Sequence, residues 1–191
     1  MQKKPAAHEP AGAVAPADGQ CWPAGHGWHT ALDVPIVAAL YVPGGERVIP
    51  IVGALNRRAS VLVSTVDAHT ENDVEFKVWK PHCVVGCLGQ RKPVETVVGG
   101  KQIVFEKVTT DAFLSPRMDP LLRELAADRF VVYGVVTEIC VRFAALGLLA
   151  TGARVEIVTD AVKQLSVSGM EAFYEDFRSR GGVLTTSAGL T

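Results

Sequence analysis

VVYGVVTEICVRFAALGLLATGARVEIVTDAV, residues 131–162, is the stretch whose reading decides the fold. Its first run, VVYGVV (131–136), is β-branched and of buried-strand length. The segment ICVRFAALGLLATG follows with small and aliphatic residues, and Gly152 stands at a helix-stop position. VEIVTD (155–160) then returns to strand. Strand, helix and strand in this order predict parallel neighbours whose connecting helix covers one face of a sheet.

The same alternation continues on both sides. Upstream, HTALDV (29–34) reads as a short first strand, and Val48, Ile49, Val52 and Leu55 have helical spacing. VLVSTV (61–66) and QIVFEK (102–107) are further strands, separated by a polar segment too long for a plain connector. PLLRELAADRF (120–130) places Leu121, Leu122, Leu125 and Ala126 on one face of a helix. Downstream, MEAFYEDFRSRGG (170–182) is a helix ending in glycines before VLTT. The expected architecture is a three-layer α/β/α fold with a mostly parallel sheet, with ligands beyond the carboxyl ends of its strands. Residues 29–191 make one domain in this reading. Residues 1–28, rich in Ala, Pro and Gly, form a disordered or atypical leader.

Composition narrows the partners. Nineteen Lys and Arg oppose 20 Asp and Glu, a formal charge of −1, which leaves no electrostatic footprint for nucleic acid or an anionic membrane. The most apolar window, around residues 131–150, is interrupted by Glu138 and Arg142 and is no membrane span. The leader has no apolar core of a signal peptide, so a cytoplasmic location is expected. Cys21, Cys83, Cys87 and Cys140 are then expected to be free thiols. A small, nearly neutral molecule is the default ligand.

Two readings fit Cys140. One is a small apolar residue packing a buried helix. The other is a nucleophile, because the turn after VVYGVV lies at the sheet edge where chemistry is done. With Thr137 as N-cap, Glu138, Ile139 and Cys140 become the first helical residues, and the cap oxygen accepts from the amide of Cys140. Free amides and the helix dipole would then favour the thiolate and hold a developing oxyanion. Such a thiol needs a cation and an acid/base. Lys107, at the end of QIVFEK, and Asp33, in the first strand, share its topological edge.

A second constellation begins with Asp67-Ala-His69, directly after a strand, and continues to His82 in KPHCVVG. These residues either form an open set of three metal ligands or belong to an ordinary polar loop with two unrelated histidines. His82, Cys83 and Cys87 offer a third arrangement, a zinc knuckle, which lacks a fourth ligand at recognisable spacing.

GVVTEICV with its Ala/Leu-rich helix and VEIVTDAV resembles the nucleophile region of the isochorismatase-like cysteine hydrolases. DAHT…EF…PHCVVG…GQ is similar to the metal-binding loop of the nicotinamidase branch, whereas isochorismatases proper lack those ligands. The likeness runs from about Leu40 to the C-terminus and includes LYVPGGE. It implies a Cys–Lys–Asp triad hydrolysing a small amide, nicotinamide or a close analogue, through a thioester on Cys140. Lys107 would favour the thiolate, and Asp33 would shuttle protons.

The family's oxyanion hole, at a cis peptide before the helix, maps to backbone amides of Cys140 and of Val136 or Thr137. Asp67, His69 and His82 would hold a divalent ion (Zn, Fe or Mn) that binds the pyridine nitrogen, and Trp79 and Phe113 would line the pocket. A role in NAD salvage and a homo-oligomer are also implied. One stretch departs from the pattern: TALDVPIVAALYVPGGE has Pro35 where the family has Gln, and it lacks the Asp-Phe pair of D-x-Q-x-D-F. A metal-independent isochorismatase-type hydrolase, or a catalytically impaired relative serving as a binding module, are the alternatives.

Overall fold

The computed structural model describes residues 42–190, together with the backbone of two short strands nearer the N-terminus. These are β1 (Gly27–His29) and β2 (Pro35–Val37), paired antiparallel with Trp28 opposite Ile36. The first-strand reading HTALDV therefore falls mainly on residues 30–34, which lie outside the described residues. So do Asp33 and the leader up to residue 26. By contact density the chain groups into two units, Met1–Tyr41 with Ala68–Arg91, and Val42–Asp67 with Lys92–Thr191.

The larger unit carries the alternation read from the sequence. Its elements are α1 (Ile49–Arg58), β3 (Leu62–Asp67), β4 (Gln102–Lys107), α2 (Met118–Leu125), β5 (Arg129–Val135), α3 (Arg142–Ala150), β6 (Arg154–Lys163), α4 (Val167–Ser179) and β7 (Val183–Thr185). All its strand pairings are parallel: β3 with β4, and β5–β6–β7 in that order. β6 sits centrally in the second sheet, and its side chains alternate between two covered faces. On one face Val155 and Ile157, both fully buried, pack with Ala145 of α3 and Phe173 and Phe177 of α4. On the other, Val158 and Ala161 meet Leu55, Ile51 and Val52 of α1. Helices on both faces give the three layers. α2 covers β3 and β4 separately, through Met118, Leu121 and Leu122 against Phe105 and Val63.

Several polar groups inside this unit are paired. The Tyr133 hydroxyl donates to Asn56 Oδ1 at 2.9 Å, and Asn56 Nδ2 donates to the Thr96 carbonyl at 2.6 Å. Burial pushes the Tyr133 phenol up to about 12. Lys101 Nζ donates to the carbonyls of Arg57 and Ala59, closing the C-terminal end of α1, where a cation is favoured.

Three expectations are corrected. The helix read at 120–130 runs over Met118–Leu125, because Ala126 turns left-handed with φ 47° and donates its amide to Leu122, so the next strand begins at Arg129. Ala carries no helix-stop signal, which hid this end from the sequence. Cys87 is disulfide-bonded, while Cys83 and Cys140 are not in disulfides. The inference from a missing secretion signal concerned the redox compartment and carried no information on which sulfurs approach. The third correction concerns Thr137 and belongs to the site below. Among the described residues, no helix is long and apolar enough to cross a membrane.

Candidate active site

β5 delivers the chain to Cys140. At its end the register against β6 jumps, with Val132 opposite Ile157 but Gly134 opposite Val162. Gly134 has φ 118°, a conformation open to glycine and strained for any residue with a Cβ. The Val135–Val136 peptide is cis. Thr137–Val141 then forms one π-helical turn that leads into α3. The amides of Ile139 and Val141 both donate to the Val136 carbonyl, at 3.2 and 3.1 Å.

That carbonyl takes the place expected for a side-chain cap. Thr137 is fully buried and its hydroxyl has no hydrogen-bond partner, so it does not cap the turn and does not accept from Cys140. The expected capping is therefore corrected. The location of Cys140 in a strand–turn–helix junction, partly exposed, agrees with the sequence reading.

Lys107 ends β4 and is 5% exposed. Its ammonium donates to the Thr109 carbonyl at 2.9 Å and to Cys140 Sγ at 3.8 Å, and it pairs with Asp67 Oδ1. A buried ammonium beside a sulfur stabilises the thiolate over the thiol. The pairing with Asp67 was not read from the sequence, which gave Asp67 to the metal set alone. It follows from the register: LVSTVD and QIVFEK pair over six residues, so Asp67 and Lys107 stand opposite each other at the same strand ends. Asp33, the third member in the sequence reading, lies outside the described residues.

Phe113, assigned to the substrate pocket, rests against α3. A Cβ on Gly147 would come within 2.3 Å of its ring, so glycine is what lets the aromatic approach the helix. Trp79 lies in the smaller unit, partly buried, its amide donating to the Glu75 carbonyl at 2.9 Å.

The smaller unit brings His69 and His82 together. His69 pairs as an isolated parallel bridge with Val84, its amide donating to the Cys83 carbonyl and its carbonyl accepting from Val85. The two rings lie 4.6 Å apart between centroids, with Phe76 against both. Each offers a ligand nitrogen, the pair within 4.8 Å.

Two observations test whether a divalent ion fits here. His82 Nδ1 lies 2.8 Å from the Lys80 carbonyl, which requires a proton on Nδ1 and leaves the lone pair on Nε2. His69 is fully buried, yet neither ring nitrogen makes a hydrogen bond, although Asp73 Oδ2 and Glu75 Oε2 approach them at 3.2 and 3.3 Å. A buried imidazole whose nitrogens lack well-aligned hydrogen bonds is costly, and a cation with carboxylates around it would relieve that cost. The Asp73 carboxyl is held below its ordinary range, first by the amide of Glu75 that it accepts. The residues fit a borderline ion with nitrogen and oxygen donors.

Parallel strands lie under helices on both faces, with a thiol beside a buried lysine at their carboxyl ends. The isochorismatase domain matches residues 32–189, and the chain belongs to the isochorismatase family of hydrolases. It is similar to the pyrazinamidase of Pyrococcus horikoshii, solved in complex with zinc, at 30% identity and a TM-score of 0.72 over 78% of this chain and 89% of that one. The N-carbamoylsarcosine amidase of Thermoplasma acidophilum matches at 25% identity and a TM-score of 0.69, covering 79% and 88%. A nicotinamidase of Acinetobacter baylyi is 21% identical over 162 residues, 68% of this chain and 76% of the relative.

Proposed function

We propose that this hydrolase cleaves a small planar amide, nicotinamide or a close analogue, with Cys140 as nucleophile. The observation that carries the reading is the contact of the buried Lys107 ammonium with Cys140 Sγ. Attack of the thiolate on the amide carbon forms a C–S bond as the C–N bond breaks, and ammonia leaves once its nitrogen is protonated. Water then cleaves the thioester and releases the carboxylic acid and the thiol. The amides of Cys140 and of Val136 or Thr137 receive the oxyanion, and Asp33 is the carboxylate that moves the proton. Asp67 holds Lys107 in its buried position.

Asp67, His69 and His82 are the proposed ligands of a divalent ion, zinc, iron or manganese. Asp67 is one residue removed from His69 along the chain. A bound ion would supply a Lewis acid for a ring nitrogen of the substrate. Trp79 and Phe113 are proposed to line the ring pocket. Ammonia and acid should both be released from nicotinamide by protein of measured metal content. Hydrolysis of N-carbamoylsarcosine but not nicotinamide would redirect the substrate assignment, and no amide hydrolysis in a panel of small amides would refute it.

A further inference from the structure

Glu138, two residues before Cys140, grips a different element from the side of the π-turn. Its Oε1 accepts from the amides of Leu165 and Ser166, at 3.0 and 2.6 Å, where β6 passes into α4. Ser166 is the N-cap of α4, its Oγ accepting from the Gly169 amide at 3.1 Å. The Glu138 side chain runs across this first turn closely enough that a Cβ on Gly169 would meet Glu138 Cγ at 3.3 Å. The turn is thus held by β5 at its start, by α3 at its end and by a carboxylate clamp from its side.

We propose that Glu138 is a positioning residue for the nucleophile: by tethering the Thr137–Val141 turn to the start of α4, it fixes Cys140 within reach of Lys107. The reasoning is geometric. A single π-turn is a short and uncommon element, and two of its amides, those of Ile139 and Val141, share one acceptor, the Val136 carbonyl. A sideways tether to a 13-residue helix removes the freedom that this leaves. The two accepted amides are solvent-accessible, so water can satisfy them if the carboxylate is removed. Water can replace those hydrogen bonds but cannot tether the turn.

This inference rests on Cys140 being the nucleophile, and its test does not use amide turnover. Full-length protein is labelled with iodoacetamide, and alkylation of the Cys140 peptide is followed by mass spectrometry so that Cys83 does not contribute. In Glu138→Leu the rate should fall roughly ten- to a hundredfold, the scale of a misplaced reacting group. Glu138→Gln keeps a carbonyl oxygen able to accept two amides and should restore a rate near that of the wild type. Ser166→Ala removes a cap of the same helix and should lower its heat stability without slowing Cys140. Wild-type labelling rates in Glu138→Leu, or equal slowing in Ser166→Ala, would overturn the positioning role. A wild-type Cys140 no more reactive than an ordinary thiol would overturn the nucleophile assignment itself, and this proposal with it.

Discussion

The turn that carries Cys140 and the loop that carries His69 and His82 are ordered by different physical means. Cys140 follows a strand paired in register with β6, precedes a helix seated on a fully buried core, and faces a lysine at the end of another strand. Folding alone supplies that geometry. His69 and His82 stand on a segment of short 3₁₀ turns with a single β-bridge, where two buried imidazole nitrogens have no hydrogen bonds. That loop has fewer buried apolar groups to order it among its described residues, and a bound ion would supply the missing order. The contrast separates preorganisation by hydrophobic burial from preorganisation by ligation.

The sharpest way to break this contrast is at Cys140. Cys140→Ala should lower amide hydrolysis by roughly 10⁴-fold or more, as removal of a covalent nucleophile does elsewhere, while thermal unfolding stays close to the wild type. Turnover within tenfold of the wild type would place the chemistry elsewhere. The loop should respond to an ion instead. Zinc added to chelator-treated protein should slow hydrogen exchange over 68–91 and leave 129–150 nearly unchanged, with a stabilisation of about 2.7 kcal/mol at a hundredfold excess over the dissociation constant. His82→Ala should abolish that difference. An equal response in both segments would remove the distinction.

The smallest effect lies at the other end of β5 and β6 from the turn. Glu156, 3% exposed on β6, accepts from Arg129 Nε at 2.8 Å and pairs with Arg154 at 2.9 Å. The Arg129 guanidinium holds its carboxyl below the ordinary value of 4.5. A carboxyl depressed in the folded state contributes stability that is fully present above its ordinary value and is lost as pH falls through the lowered one. Glu156→Gln should therefore cost about 1–2 kcal/mol near neutral pH, with the difference from the wild type shrinking as pH drops below 4.5. Unfolding midpoints measured across that range check the sign.

The same contrast governs what was legible in the sequence. VVYGVV, VEIVTD and QIVFEK read as strands through their β-branched residues, and their order alone places Cys140 and Lys107 at a common edge. Periodicity does not report how a turn spends its hydrogen bonds. Thr137 looks like a cap, but the Val136 carbonyl takes the amides, and Glu138 reaches α4 across 28 residues of chain. In the loop, Asp67-Ala-His69 and His82 were legible as a candidate ligand set, while its structure was illegible, because 3₁₀ turns set by Asp73 and Glu75 leave no hydrophobic period. Asp67 was read for one role and pairs with Lys107 as well, since register between two strands is a property of their pairing and not of either alone.

The most direct test of the central claim is to titrate the protein with iodoacetamide and plot ammonia release from nicotinamide against the fraction of Cys140 alkylated. Activity should fall linearly and reach zero when that one thiol is fully modified. Ammonia release that persists with Cys140 completely alkylated would contradict the account.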